Sequence, residues 1–208
     1  MKIFEVKNIN SKLKNKELEE IVNSIKNDNI IIYPTDTAYA IGVNAESFKA
    51  TDKLLKYKGK RQDKSLSITV SDTKMIKRYA KVNKIANNLI TKYLPGKLSI
   101  VLEQNNKRLL TKNISSDNSV SIRIPNNIIS KDIVSKLNLA ITASSSNISN
   151  YPTPFSIQQL LKETPKEKID MIDIIIDAGK IKSQGVSTIV DCRDKTAKIL
   201  RQGVLKII

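Results

Sequence analysis

Between Ile30 and Val70 the chain reads IIIYPTDTAYAIGVNAESFKATDKLLKYKGKRQDKSLSITV, and this stretch limits the possible fold more than any other. An apolar β-branched run, a Pro-Thr-Asp-Thr turn, a helical segment, a basic loop and a second β-branched run predict strand, turn, helix, loop and strand. That unit belongs to α/β sheets. Pro34 has no N–H for a ladder, so it closes the first strand. Thr35, Asp36 and Thr37 then present two hydroxyls and a carboxylate at the strand's C-terminal end, where open α/β sheets hold ligands. Lys58, Lys60, Arg61 and Lys64 crowd around Gly59 just before the next strand. A polar strand end facing a cationic loop suits a small polar substrate beside an anion such as a phosphate.

The same periodicity arguments extend along the chain. Strands are predicted over 3–7, 30–33, 66–70, 98–103, 119–125, 139–143, 172–177, 187–191 and 198–200. Helices are predicted near 14–27, 45–56, 73–79, 83–93, 128–137 and 157–161, with Ser71-Asp72 as a capping signal and Pro95-Gly96 as a stop. The run SVSIRIP alternates, so Val120, Ile122 and Ile124 face one side while Ser119, Ser121 and Arg123 face the other. Some strands follow one another without a helix. The expected fold class is therefore α/β, one twisted mixed β-sheet flanked by helices, in a single domain spanning residues 1–208.

Composition excludes several chemistries. There is no histidine and one cysteine, Cys192, which rules out Ser-His or Cys-His catalysis and an intrachain disulfide framework. No protein-bound metal cluster is expected. No apolar run approaches the ~20 residues of a membrane helix. The N-terminus lacks the apolar core of a signal peptide, so no membrane association and a cytoplasmic location are the expectations. The net charge of +16 favours polyanions. The basic residues are spread along the chain, however, and aromatics make up only 4%, too few for an evident base-stacking platform.

Four polar turns remain: 35–37, 58–64, 144–147 and 201–203. Singly, each also reads as a cap, a solvated loop, a turn bonded to its own backbone, or a surface ion pair. Together they supply cations, hydroxyls and an amide without a nucleophile, an inventory suited to phosphoryl or nucleotidyl transfer by positioning and charge stabilisation. Neither a P-loop nor a dinucleotide-binding glycine signature occurs.

These turns carry a resemblance. IIYPTDTAYAIG is similar to the "YPTxTxYGLG" opening of the YrdC/Sua5 family of threonylcarbamoyl-AMP synthases, and YKGKRQDKSLSI resembles its "KGRPxxxPL" loop. YLPGKLSIVL, SVSIRIP, SSSNIS, GVSTIVD and ILRQGVL resemble, in order, its "WPGPLT", "VxxRxP", "TSANxSG", "STVVD" and "xxRxGxI" segments. The resemblance implies a YrdC-like sheet with an open cationic cleft. It further implies that L-threonine, bicarbonate and ATP give threonylcarbamoyl-AMP and pyrophosphate for tRNA t6A modification, with Mg²⁺ carried by ATP. It places Lys58, Lys60, Ser145 and Asn147 at the reacting groups. Lys60, Arg61, Lys64, Ser119, Asn147 and Arg201 fall to ATP, and Thr35, Tyr39, Thr69, Arg123, Ser145 and Ser187 to threonine. Downstream tRNA threonylcarbamoyltransferase proteins are the implied partners, with weak tRNA or RNA binding as a further expectation. A catalytically impaired RNA-binding module and a synthase for another amine stand as alternative readings. The resemblance ends with the family's last strand, so the extra C-terminal domain of longer Sua5-type members is not expected.

Overall fold

The computed structural model describes residues 1–59, 66–106, 109–114, 117–182 and 185–207. Elements are numbered in chain order. Two mixed sheets form, where the sequence reading expected one. The first runs in the order β1 (Lys2–Glu5), β9 (Ile174–Asp177), β2 (Ile31–Pro34), β3 (Tyr39–Gly42), β8 (Ser144–Ser145). The second runs β11 (Lys198–Arg201), β10 (Thr188–Asp191), β5 (Leu98–Glu103), β6 (Ser119–Arg123), β4 (Ser67–Thr69), β7 (Ile141–Thr142). The chain changes sheets within one residue. Ala143 donates its N–H to Ser67 O of the second sheet, and three residues on Ser146 donates to Tyr39 O of the first. Ser144 and Ser145, expected as turn residues, are thereby drawn into a two-residue strand against Ile41 and Ala40.

β3 is another strand the sequence reading lacked. Tyr39–Gly42 contains an alanine and a glycine and shows no clean alternation, yet it pairs in register with β2. Gly42 is required there, since a Cβ would fall 2.9 Å from the Tyr33 ring. Pro34 does end β2, opposite Tyr39.

The pleat of the second sheet sorts its residues into two faces, because residues directly paired across strands share a face. Ile68, Ile122 and Ile100 form one row, with Val120, Leu102, Leu98 and Val190 beside them, and all are buried in the core. The opposite face is polar: Ser67, Ser121 and Val101 in one row, Thr69 and Arg123 in the next, and Ser119 across from Glu103. The alternation expected for 119–125 is thus the face pattern of the whole sheet.

Helices hold the polar turns in place. In α2 (Phe48–Lys58), Ser47 caps the first turn through Ala50 N, and Ala50, Leu54, Tyr57 and Lys58 recur at helical spacing on the buried side. The helix runs two residues beyond the expected end at 56, which turns Lys58 from a loop residue into an inward-facing one. In α5 (Ile128–Leu137), Asn127 accepts from Ser130 N at 3.1 Å and donates from Nδ2 to Pro34 O at 2.7 Å. One side chain therefore starts a helix and grips the end of β2. No described helix is long and apolar enough to cross a membrane.

Candidate active site

β4 and β6 are parallel and end together at Thr69 and Arg123. β10 starts beside the first residue of β5, and Arg201 at the end of β11 pairs with Ile189. Since β5 is antiparallel to β6, Thr69, Arg123, Ser187 and Arg201 all come to one end of the second sheet. The β2–β3 hairpin of the first sheet lies over this end of the polar face. Tyr33 Oη donates to Thr142 O at 2.9 Å and shares a hydrogen bond with Thr69 Oγ1 at 3.1 Å. Burial pushes the Tyr33 hydroxyl up to about 12, against the opposing pull of Thr69 and the Arg123 charge, so it stays neutral.

Arg123 is the centre of this end. It is 6% exposed, donates from Nη2 to Asp36 Oδ1 at 2.6 Å and from Nη1 to Thr37 Oγ1 at 3.2 Å. Thr35 Oγ1 lies 3.0 Å from Thr37 Oγ1 and accepts from the Thr37 and Ala38 amides, which closes the turn around the guanidinium. Arg201 Nε and Nη2 both donate to Ser187 O, at 3.1 and 2.8 Å. Desolvation of its head group and then the neighbouring charge of Arg123 lower the Arg201 pKa. Two guanidinium groups in mutual repulsion favour an anion at their end of the sheet.

A second cluster forms at the start of β3. Lys58 Nζ reaches Ser145 O at 2.7 Å and also Asn147 O, while Ser145 Oγ donates to Asn147 Oδ1. Asn147 Nδ2 donates to the Ile148 and Tyr151 carbonyls. Because Ser145 pairs with Ala40, this turn emerges at the same end of the first sheet as the Thr35–Thr37 turn.

Buried polar atoms normally find partners. Among the described residues five buried side-chain atoms have none, and four of them, Asp36 Oδ2, Arg123 Nε, Ser146 Oγ and Ser187 Oγ, belong to these turns and strand ends. Their concentration makes this end of the molecule the candidate ligand-binding end. A surface cavity of about 520 Å³ lined by Lys92 to Lys97, Val204 and Leu205 contains none of them, so the site rests on its hydrogen-bonding groups and not on cavity size.

Not every expected residue joins this constellation. Tyr39 is fully buried and its hydroxyl is committed to Asp177, Gly179 O and the Ala178 amide, where it anchors the turn after β9. Ser119 stands at the opposite end of β6 from Arg123, roughly 13 Å along the strand at about 3.3 Å per residue. There its Oγ donates to Asp117 Oδ1 at 2.6 Å. Lys60, Arg61 and Lys64 lie outside the described residues. Conversely, Asp36 was read only as a polar turn residue, and Tyr33 and Asn127 were not singled out. Asn127 carried a signal, an Asn before the apolar run of a predicted helix; Tyr33 sits in an apolar strand and carried none.

The sequence model of the Sua5/YciO/YrdC family, described as telomere recombination, matches residues 23–203. A Methanocaldococcus jannaschii protein provisionally named threonylcarbamoyl-AMP synthase is 35% identical over 99% of this chain and 95% of its own length. The threonylcarbamoyl-AMP synthase of Pyrococcus abyssi is 25% identical over 96% of this chain, which spans 58% of that protein. The crystal structure of P. abyssi Sua5 complexed with L-threonine superposes with a TM-score of 0.87 over 98% of this chain and 58% of its own. Escherichia coli YciO, 20% identical with a TM-score of 0.84, shares the fold over 98% of this chain and 97% of its own. A family match across most of the sequence, with a relative of 35% identity over nearly the full length of both proteins, establishes that the chain belongs to the Sua5/YciO/YrdC family.

Proposed function

We propose that the chain is an L-threonylcarbamoyladenylate synthase, which converts L-threonine, bicarbonate and ATP into threonylcarbamoyl-AMP and pyrophosphate for t6A modification of tRNA. Two relatives bear that activity's name, and the structural likeness extends to a Sua5 bound to L-threonine. The observation that carries the reading is Arg123: a buried guanidinium with an unpartnered Nε at a strand end, close to a second guanidinium.

The reaction needs no side-chain nucleophile. The threonine amine condenses with bicarbonate, releasing water, and a carbamate oxygen attacks the α-phosphorus. The bond from that phosphorus to the bridging oxygen breaks, and pyrophosphate leaves. The protein has to hold two anions together and stabilise charge on the phosphates. Arg123 takes the threonine carboxylate, for which a planar fork is suited, while Thr35, Thr69 and Ser187 shape the amino-acid side. Arg201, Asn147 and the residues Lys60, Arg61 and Lys64 serve the nucleotide, with Mg²⁺ entering on ATP. Lys58 fixes the Ser145–Asn147 turn through its two carbonyl contacts and lies with that turn beside the reacting groups. The product passes in the cytoplasm to downstream tRNA threonylcarbamoyltransferase proteins.

Pyrophosphate release from the purified chain tests the proposal. Release is expected only when L-threonine, bicarbonate and ATP are present together. Release that ignores threonine, or that requires a different amino acid, refutes the assignment and favours another amine.

A further inference from the structure

Arg123 and Asp36 form the most buried ion pair among the described residues, with both side chains 8% exposed. Its geometry is incomplete in one respect. The Nε and Nη2 edge of a guanidinium can hold both oxygens of a carboxylate side by side. Here Asp36 places Oδ1 on Nη2 and leaves both Nε and its own Oδ2 without partners, although all these atoms are buried. Thr37 occupies Nη1, so the buried atoms of the pair left without any partner are one donor, Arg123 Nε–H, and one acceptor, Asp36 Oδ2.

One donor and one acceptor within a single ion pair do not describe a general anion site. The charge of Arg123 is already balanced by Asp36, so a simple carboxylate would bring a negative charge against the buried Asp36 oxygen. A zwitterion fits better, with its carboxylate on Nε–H and its amino group on Oδ2. We propose that Asp36 is a specificity-determining residue that selects an α-amino acid over a plain carboxylic acid by accepting a hydrogen bond from the substrate's amino group. The inference rests on the reading of Arg123 as the carboxylate clamp and deepens it. The contact survives the chemistry: a primary amine keeps one N–H after it becomes a carbamate, so Oδ2 holds the nitrogen before and after carboxylation. The carbamate is thereby aimed by the same residue that admitted the amine.

The test is titration of the full chain with L-threonine and with 3-hydroxybutyrate, which is threonine with hydrogen in place of the amine. A charge-assisted hydrogen bond predicts that threonine binds about 10- to 100-fold more tightly. In Asp36→Asn that preference should collapse to within roughly threefold, threonine weakening and 3-hydroxybutyrate holding or gaining as Arg123 loses its counter-charge. Equal binding of the two ligands by the unaltered chain overturns the proposal, and this comparison decides it even if Asp36→Asn does not fold. A folded Asp36→Asn protein that keeps the original preference also overturns it. Should neither ligand bind, the synthase function falls and this assignment with it; binding of both without preference leaves the function standing and removes only Asp36.

Discussion

Asn127 offers the most informative perturbation, because one side chain supports two separable contacts. Its Oδ1 caps α5 through Ser130 N, and its Nδ2 holds the Pro34 carbonyl at 2.7 Å, directly before the Thr35–Thr37 turn. Loss of a helix cap costs about 1 kcal/mol. Loss of a buried hydrogen bond costs about 1–1.5 kcal/mol, moderated here because Ser130 Oγ also donates to Pro34 O. Asn127→Ala removes both and should cost about 2–2.5 kcal/mol, a fall of roughly 4–10 °C in Tm for a chain of this size. Asn127→Ser retains a good capping oxygen but cannot reach Pro34, and should cost about half as much. Both release the Pro34 carbonyl, so both should raise the KM for threonine to a similar extent while differing in stability. Urea denaturation and steady-state pyrophosphate release read the two effects. If the two variants are equally stable, or if KM follows stability and not the Pro34 contact, the account of how α5 positions the turn is wrong.

Arg123→Lys keeps a cation beside Asp36 but loses the fork, so the KM for threonine should rise on the order of 10- to 100-fold with a smaller change for ATP, whereas equal rises would remove the division into two subsites. Gly203→Ala would set a Cβ 2.2 Å from Val186 O and 2.5 Å from the Ser187 carbonyl carbon, so it should cost on the order of 1–3 kcal/mol and disturb the Ser187–Arg201 contact, visible as a higher KM for ATP; normal stability and kinetics would contradict the packing described. Hydrogen bonds from Arg193 hold the Asp191 carboxyl below the usual carboxylate range. A depressed native pKa stabilises the fold above the unfolded-state value and loses that contribution as pH falls through the native one, so Arg193→Gln should reduce the loss of stability on acidification below the unfolded-state carboxylate range. An unchanged acid limb would refute that role.

The order of strands and helices was largely legible in the sequence, since hydrophobic period is a local property that burial of one face imposes on each segment. β5 and α5 match their expected bounds, and α3 (Thr73–Tyr79) begins at the predicted Asp72 cap, which accepts from Met75 N. The alternation of SVSIRIP was enough to put Ser119, Ser121 and Arg123 on one face. Other features depended on partners far away in the chain. Tyr39–Gly42 and Ser144–Ser145 have little strand character of their own and become strands because the adjoining edges supply their hydrogen bonds. The division into two sheets follows from the change of partner at Ala143, which no periodicity encodes. Family motifs singled out Arg123 and Asn147, but only the fold shows that Asp36, 87 residues before Arg123, is its counter-ion, and that Lys58 turns inward to two backbone carbonyls. Segment type follows from which residues are apolar and how often they recur; the electrostatics of the site follow from which side chains the packed sheets force together out of water.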